Sequence, residues 1–365
     1  MPLPTVWMSL PAVHLPLRVM SREETLDEVR SNFLGTEEEW NRVHRLLRAV
    51  LNACGSESRH VFDDYAIAQH AATAVTRLMG EQGLRALSPG ADGPGADGPG
   101  ADETDSAAVV DLLVYGSIAR GYLEPATASE VATLAGLGEP VSYDVMAACA
   151  GMVMAVQDVV GRFAIDETLN TAVVSTAAMS TGRLNLSIQT PEDVAIYAAG
   201  LTVGNACTAT LLSRERRVVN GTVTPSGRIV STYARTLPQH HGLCSVPLEG
   251  PFRSNAAEMF RLARYIPEAC RETVRRAGWD VQEVDLWVFH QASNRSLLQI
   301  ASQLGVSPAR VPAIHAVYGN CESSSAALTL RYLHDTGVLQ PGMKIMVGSA
   351  AAGFMLAALG VEWAG

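Results

Sequence analysis

The sequence predicts an α/β fold built from two copies of one strand–helix–strand unit. The runs VVDLLVYGSI (109–118) and EVDLWVFHQA (283–292) share an acidic residue followed by four apolar residues, as in buried parallel strands. A loop and a helix start follow in each half, at Cys149 and at Asn320, and LNTAVVSTAA (169–178) and MKIMVGSAA (343–351) supply a second strand. The repeat predicts an N-terminal half at 1–182, a C-terminal half at 183–365 and parallel-rich sheets covered by helices.

Local patterns refine this plan. Apolar residues at helical spacing predict a helix over roughly 63–84, and 258–278 resembles a second amphipathic helix. Residues 90–103 repeat GADGP without large apolar side chains, so they cannot bury themselves. We therefore expect a mobile insertion within the first half there, not a domain boundary.

Composition excludes several classes of protein. The 365 residues include 27 basic and 37 acidic side chains, a net charge of −10, which argues against nucleic-acid binding. The N-terminus lacks the pattern of a secretory signal and we found no apolar run of membrane-spanning length, so we expect a cytoplasmic protein. Six scattered cysteines without a CxxC pair predict reduced thiols and no disulfide frame or zinc ribbon.

Cys149 is the first candidate for chemistry. Its neighbours are alanine and glycine, small enough for a substrate to approach, and it opens an apolar helix. A helix N-terminus lowers a thiol pKa, and the backbone N–H there can stabilise an oxyanion. A cysteine among Ala and Val is, taken alone, more typical of a packing residue.

His290 and Asn320 shift the interpretation of Cys149 from a packing residue to a chemical one. His290 ends an apolar strand, and Asn320 lies in a helix-entry loop after Gly319. Each alone also fits a structural role, as a satisfied histidine or as a turn residue. Together, a thiol and two neutral hydrogen-bond donors suit an acyl thioester and the enolate or oxyanion derived from it.

These residues also carry a resemblance. DVMAACAGMVMAV, VDLWVFHQASNRS, AVYGNCESSSAALTL and LQPGMKIMVGSAAAGFMLAALGVEW resemble the landmark segments of β-ketoacyl-[acyl-carrier-protein] synthase III, in the thiolase superfamily. The match runs from about Asp111 to the C-terminus and is weaker over 56–84. It implies a thiolase-like fold, layered α-β-α-β-α, and a homodimer.

The resemblance also implies roles for individual residues. Cys149 would be acylated by a CoA or acyl-carrier-protein thioester, and His290 with Asn320 would bind the carbonyl of the second substrate. The N–H groups of Cys149 and Ala352 would form the oxyanion hole. Phe260, Arg295 and Gly353 would contact substrate, with Phe260 lining the pantetheine tunnel and Arg295 meeting the acidic carrier protein. No metal and no cofactor beyond the thioester substrate is expected.

Several departures from the resembled family point to specialised metabolism instead of fatty-acid initiation. Ala351-Ala352-Gly353 replaces a glycine triplet, and Asn205 stands where an aspartate is common. An adenine-stacking tryptophan is not recognisable; Trp40 is a loose candidate. Cys321 and Glu322 follow Asn320 where small hydroxyl residues are usual, and Glu322 is either a solvated or capping charge or catalytic.

The run QHHGLC suggests a metal site through His240, His241 and Cys244. Adjacent histidines point in divergent directions and no second ligand pair follows at metal spacing, so we expect none. Either histidine touching the acyl acceptor is a hypothesis.

Two classes of function remain. The first is an acyltransferase that passes an acyl group from the thioester through Cys149 to a small-molecule hydroxyl or amine in secondary-metabolite biosynthesis, such as that of polyketides or antibiotics. Decarboxylative Claisen condensation with a malonyl thioester is its close alternative. The second class is an inactive ketosynthase-like scaffold subunit, although such subunits usually lack the nucleophile. A papain-like hydrolase ranks lowest, because that family's residues around its cysteine are missing.

Overall fold

The structure, a computed structural model, describes residues 3–84 and 110–365. The predicted insertion at 90–103 lies outside them. The strands are β1 (Trp7–Ser9), β2 (Ala12–His14), β3 (Val19–Ser21), β4 (Ser58–His60), β5 (Leu112–Tyr115), β6 (Val141–Asp144), β7 (Thr171–Ala178), β8 (Ala206–Ser213), β9 (Val218–Val219), β10 (Thr222–Val223), β11 (Ser226–Thr236), β12 (Cys244–Ser245), β13 (Arg253–Ser254), β14 (Leu286–Phe289), β15 (Lys344–Ala351) and β16 (Met355–Trp363). The helices are α1 (Arg22–Ser31), α2 (Glu37–Cys54), α3 (Ile67–Glu81), α4 (Thr127–Leu134), α5 (Gly151–Ile165), α6 (Pro191–Tyr197), α7 (Ala256–Leu262), α8 (Ile266–Ala277), α9 (Asn294–Leu304), α10 (His315–Tyr318) and α11 (Ser325–Asp335).

The main sheet repeats one pairing pattern. Its order is β14-β15-β16-β11-β1-β8-β7-β5-β6, with β2 also beside β8. In the first half β5 pairs in parallel with β7, and β7 pairs antiparallel with β8, which meets β1. The second half repeats that series. There β14 pairs in parallel with β15, β15 pairs antiparallel with β16, and β16 pairs antiparallel with β11. The antiparallel pair β1–β11 joins the two halves.

The sheet is mixed, so the prediction of parallel-rich sheets was wrong. In the described chain the parallel ladders of this sheet are β5–β6, β5–β7 and β14–β15, and the others are antiparallel. One reason is the tight return from β15 into β16, because a strand that follows a short turn pairs antiparallel. The predicted boundary at 182/183 stays a prediction; β8, which lies after it, pairs with β7 and β1.

Five layers are present, which confirms the predicted α-β-α-β-α arrangement. Helices α5 and α11 form the middle layer, because each contacts strands of both halves. Helices α3 and α4 pack together outside the first half, against β8 and β5 respectively, and α8 with α9 covers the second. The largest core cluster joins residues of α5 and α11 to both halves of the sheet.

The expectation that no apolar run reaches membrane-spanning length was wrong. Ala148–Ile165 is 18 residues long and apolar enough to span by length and composition. Half of that segment is buried, and α5 contacts β5, β7, β15 and β16. A helix that packs against two halves of a sheet needs apolar residues on several faces. We therefore assign the segment to the protein core.

Two predicted helices are shorter in the structure. The helix expected over 63–84 spans Ile67–Glu81. The helix expected over 258–278 is divided into α7 and α8 by a 3₁₀ turn at Ala263–Tyr265. Pro267 lies in the first turn of α8, where its missing N–H costs nothing, and it disfavours a helix running through from α7.

The start of α5 is positioned by a contact between two glycines. A Cβ on Gly151 would lie 2.1 Å from the carbonyl oxygen of Gly116, and a Cβ on Gly116 would lie 2.5 Å from that of Gly151. Gly116 follows β5 directly, so this contact seats the first turn of α5 against the end of that strand.

This contact predicts opposite effects for two substitutions in the same helix. Gly151→Ala places a methyl group against backbone and should lower the free energy of unfolding by roughly 1–3 kcal/mol. Gly161→Ala, the matched control, meets no atom within 4 Å. It should raise that free energy by roughly 0.5–1 kcal/mol, because alanine favours helix. Urea unfolding followed by circular dichroism measures both, and equal effects would contradict the contact.

Candidate active site

The two helices of the middle layer begin with the same turn. A 3₁₀ turn at Ala148–Ala150 leads into α5, and one at Glu322–Ser324 leads into α11. Ala148 (φ 45°) and Glu322 (φ 43°) open these turns in the left-handed region, which is rare for residues other than glycine. The counterpart of Cys149 is thus Ser323, and not Asn320 as the sequence suggested. Each lies 38 residues after the aspartate of its half, Asp111 or Asp285.

Cys149 is half-buried at the start of α5. The Ser349 hydroxyl on β15 donates a hydrogen bond of 2.8 Å to its carbonyl oxygen. Burial raises the pKa of the thiol well above its usual value, and the nearby Glu322 carboxylate and Cys244 raise it further. The backbone N–H of Cys149 at this helix start lowers the thiol pKa, but burial outweighs it, so the net pKa is raised and not lowered as the sequence suggested. The resting group is a neutral thiol.

His290 follows β14, and its backbone N–H donates to Gly348 at 3.0 Å. Its Nδ1 lies 3.1 Å from the Glu322 carbonyl oxygen and 3.3 Å from the Ser325 hydroxyl. A carbonyl oxygen can only accept, so we assign the proton of the neutral ring to Nδ1. Burial lowers the pKa of His290 to about 4, which keeps the ring neutral at pH 7. Nε2 is then left with a free lone pair.

Asn320 is fixed by backbone contacts with the segment before β8. Its N–H donates to Thr202 at 2.8 Å, and its carbonyl accepts from Gly204 at 3.1 Å. A Cβ on Gly204 would lie 2.2 Å from the Tyr318 carbonyl, so only glycine allows this approach. The Asn320 Oδ1 accepts the Glu322 N–H at 3.0 Å, which leaves the amide NH2 free to donate.

Hydrogen bonds and packing bring the three predicted residues together. Glu322 contacts His290 through its carbonyl and Asn320 through its N–H. Cys149 is attached to β15 through Ser349, one residue after the glycine that binds the His290 N–H. The turns carrying Cys149 and Glu322 also pack on each other. The catalytic roles of Cys149, His290 and Asn320 remain predictions.

One donor of the predicted oxyanion hole, the Ala352 N–H, lies in the turn between β15 and β16. Ala352 and Gly353 are half-buried in that turn, where Gly353 (φ 80°) and Phe354 (φ 48°) have left-handed backbone. Among the described residues, neither the Cys149 N–H nor the Ala352 N–H donates to another residue. Both donors are therefore available, and their role stays a prediction.

Phe260 and Arg295 contact each other. The Arg295 guanidinium lies 4.5 Å from the centre of the Phe260 ring, a cation–π contact between α7 and α9. Phe260 is half-buried and Arg295 is exposed. The pair therefore offers an apolar face beside an exposed positive charge, and its role in substrate binding stays a prediction.

The QHHGLC segment packs beside the β15–β16 turn. The His240 ring meets the Phe354 ring edge-on with 5.9 Å between centroids, whereas His241 is exposed. Cys244 is half-buried, and burial raises the pKa of its thiol to about 11. In the part of the chain that the structure describes, no group of three or more His, Cys, Asp or Glu side chains could hold a metal ion.

Two departures from the resembled family have structural explanations. Asn205 is fully buried; it accepts the Phe62 N–H at 2.9 Å and donates to the Ala178 carbonyl at 3.1 Å. An ionised aspartate could not make the second bond. Trp40 is buried against Phe33 and thus unavailable for stacking on an adenine.

Comparisons with known proteins show which enzymes the chain is similar to. The model of the 3-oxoacyl-[acyl-carrier-protein (ACP)] synthase III C-terminal family matches residues 274–363. The chain is 25% identical over 271 residues to an acyl-CoA:acyl-CoA alkyltransferase of Shewanella oneidensis, covering 70% of this chain and 77% of that protein. It is 28% identical over 255 residues to β-ketoacyl-[acyl-carrier-protein] synthase III 3 of Streptomyces coelicolor, covering 66% of this chain and 72% of that protein.

Solved structures show the same fold. Xanthomonas campestris OleA with bound lauric acid and lauroyl-CoA superposes with a TM-score of 0.79 at 20% identity, covering 99% of this chain and 100% of that chain. The FabH protein of Pseudomonas aeruginosa, a 3-oxoacyl-(acyl carrier protein) synthase III, superposes with a TM-score of 0.76 at 20% identity. The superposition covers 99% of this chain and 99% of that chain.

The hydrogen bond to the Glu322 carbonyl predicts the tautomer of His290. Long-range ¹H–¹⁵N spectra at pH 7 should show a neutral ring protonated at Nδ1, with His290→Asn identifying the signals. Because burial lowers the folded-state pKa to about 4, this ring should stay neutral as the pH falls to 5. Stability contributed by the neutral ring is full above pH 6.5 and declines towards pH 4. A proton on Nε2 would contradict the assignment.

Proposed function

We propose that the chain, which is similar to β-ketoacyl-[acyl-carrier-protein] synthase III proteins of the thiolase superfamily, is an acyltransferase that acylates a small-molecule hydroxyl or amine. The acyl group comes from a CoA or acyl-carrier-protein thioester and is carried on Cys149. The acceptor belongs to secondary-metabolite biosynthesis.

The tautomer of His290 carries the proposal. With Nδ1–H directed to the Glu322 carbonyl at 3.1 Å, the neutral ring presents a lone pair at Nε2. That atom can remove the proton of an attacking hydroxyl or amine. In this tautomer Nε2 carries no proton, so it cannot donate a hydrogen bond to the carbonyl of a malonyl thioester.

The reaction has two halves. First, the Cys149 thiol loses its proton and its sulfur attacks the thioester carbonyl; the bond to the donor sulfur breaks, and the donor takes up that proton and leaves as a thiol. The Cys149 and Ala352 N–H groups stabilise the oxyanion. Second, the acceptor oxygen or nitrogen attacks the acyl carbon while His290 takes its proton. The bond to Cys149 then breaks and the thiolate recovers that proton.

The NH2 group of Asn320 supports orientation of the acceptor. Its Oδ1 accepts the Glu322 N–H, and both hydrogens of the NH2 group are left to donate to a substrate. A hydroxyl oxygen, or the nitrogen of a neutral amine, can accept one of them while its own proton faces His290. This arrangement fits acceptors that carry both a proton and a lone pair.

Decarboxylative condensation is the second candidate, and the same Asn320 donor favours it. The NH2 group could stabilise the enolate formed as CO2 leaves a malonyl thioester. The names of the relatives in Streptomyces coelicolor and Shewanella oneidensis describe synthase and alkyl-transfer reactions. This candidate requires a charged or Nε2-protonated His290.

We also propose a cytoplasmic homodimer. Tyr122, Leu123 and Met146 are 62%, 75% and 65% exposed. Met146 lies two residues after the edge strand β6. Exposed apolar side chains beside a sheet edge are typical of an interface.

Intact-protein mass spectrometry tests the proposed function. Incubation with acyl-CoA and acyl-carrier-protein thioesters should add one acyl group to the wild type and none to Cys149→Ala. Cys244→Ala, the matched thiol control, should keep the adduct. An alcohol or amine should then discharge it. Discharge only by a malonyl thioester, with loss of CO2, would establish condensation, and no adduct from any donor would favour an inactive scaffold.

A second prediction separates the two half-reactions. His290→Ala should slow discharge of the acyl group to the acceptor by about 10²–10⁴-fold, because the general base is lost. Acylation of Cys149 should change much less. His334→Ala, at the far end of α11, is the control. Rapid-quench mass spectrometry measures both rates, and equal slowing of both steps would contradict the assigned role.

A further inference from the structure

We propose that the carboxylate of Glu322 accepts the proton of the Cys149 thiol during acylation and returns it to the departing donor thiol. This inference rests on the proposed function, because it concerns the first half of that reaction. It assigns a catalytic role to a side chain that has been described so far only through its backbone.

The carboxyl group of Glu322 is built into the site. The residue is 6% exposed and its turn packs on the turn that carries Cys149. The Ser180 hydroxyl and the Met179 and Ser180 N–H groups face the carboxyl and lower its pKa. Oε2 is buried and has no hydrogen-bond partner in the described chain. One acceptor atom is therefore unused in a carboxyl group close enough to Cys149 to raise the pKa of its thiol.

No described ion pair neutralises this carboxyl group. The titratable groups that face it are the thiols of Cys149, Cys244 and Cys321, and the neutral His290 is held by its backbone carbonyl. Burial raises the pKa of Glu322 to about 7, against the opposing effect of the Ser180 and Met179 hydrogen bonds. A group of this pKa can gain and lose a proton readily near neutral pH.

His290 is less suited to this step. Its pKa of about 4 makes it a weaker base than Glu322, whose pKa is about 7. In the proposed second half-reaction, moreover, its Nε2 faces the acceptor. Glu322 also stands where the resembled family usually has a small hydroxyl residue, which cannot act as a base at neutral pH.

The proton balance closes within one half-reaction. The proton leaves Sγ of Cys149 for Oε2 of Glu322 as Sγ forms a bond to the thioester carbon. When the tetrahedral intermediate collapses, the bond to the donor sulfur breaks. The protonated Glu322 then gives that proton to the donor thiolate, and the carboxylate is restored.

Whether Glu322→Gln slows or speeds the acylation of Cys149 tests the proposal. A carboxylate that only sits near Cys149 raises the thiol pKa, so Glu322→Gln would speed acylation. A carboxylate that accepts the proton makes Glu322→Gln slower, by about 10²-fold or more. Glu322→Asp should recover part of the rate. Glu362→Gln removes a surface carboxyl paired with Arg228 on β11 and serves as the matched charge control.

The measurement is the rate of acyl adduct formation by rapid-quench mass spectrometry from pH 5.5 to 9. The wild-type rate should fall as the pH drops through about 7, where Glu322 becomes protonated, and Glu322→Gln should lack this inflection. Equal or faster acylation of Glu322→Gln would overturn the proposal. Unchanged thermal melting of this variant guards against misfolding.

A second arm covers a failure of the proposed function itself. If no thioester acylates the wild type, iodoacetamide alkylation of Cys149 is followed by peptide mapping over the same pH range. An inflection near pH 7 in the wild type and its loss in Glu322→Gln would support proton transfer to the carboxylate. Identical profiles would overturn it, whatever the true substrate.

Discussion

The geometry of the site depends on the backbone of one residue. Glu322 adopts φ 43°, and this left-handed conformation directs its carbonyl to His290 and its N–H to the Asn320 side chain. The side chains of His290 and Asn320 come from different segments. His290 is oriented by the carbonyl group of Glu322, and Asn320 is oriented by the N–H group of the same residue. A non-glycine residue keeps such a conformation only where its surroundings enforce it. Here the close backbone approach of 202–204 to 318–320 supplies that enforcement.

Burial sets the chemical state of the site more strongly than the helix ends do. Desolvation favours the neutral form of each group, so it raises the pKa of Cys149 and Glu322 and lowers that of His290. The resting site therefore holds a thiol, a neutral imidazole and a carboxyl group that is half ionised near pH 7. Each can change state when a substrate displaces water or brings its own polar groups.

Much of the fold and part of the site could be predicted from the sequence. The buried strands before Gly116 and His290 were visible because parallel central strands are continuous apolar runs. The antiparallel returns were not, because pairing direction depends on connections that apolar patterns do not record. Cys149, His290 and Asn320 stood out through neighbours of unusual type. The true counterpart of Cys149 was missed, since Ser323 carries no chemical signal and only the equal spacing from Asp111 and Asp285 could have revealed it. The raised thiol pKa was missed because desolvation depends on tertiary burial.

The contact between Gly116 and Gly151 has a consequence for how such an enzyme diversifies. Main-chain atoms, and not side chains, set the start of α5, and hence the seat of Cys149, against the end of β5. Phe260 and His240, which are only predicted to contact a substrate, belong to other elements and have no part in that contact. Substitutions at such positions can therefore change which acyl chains and acceptors bind while the reactive centre keeps its place. The side chains around the site can, in this sense, change without moving the backbone contact that positions Cys149.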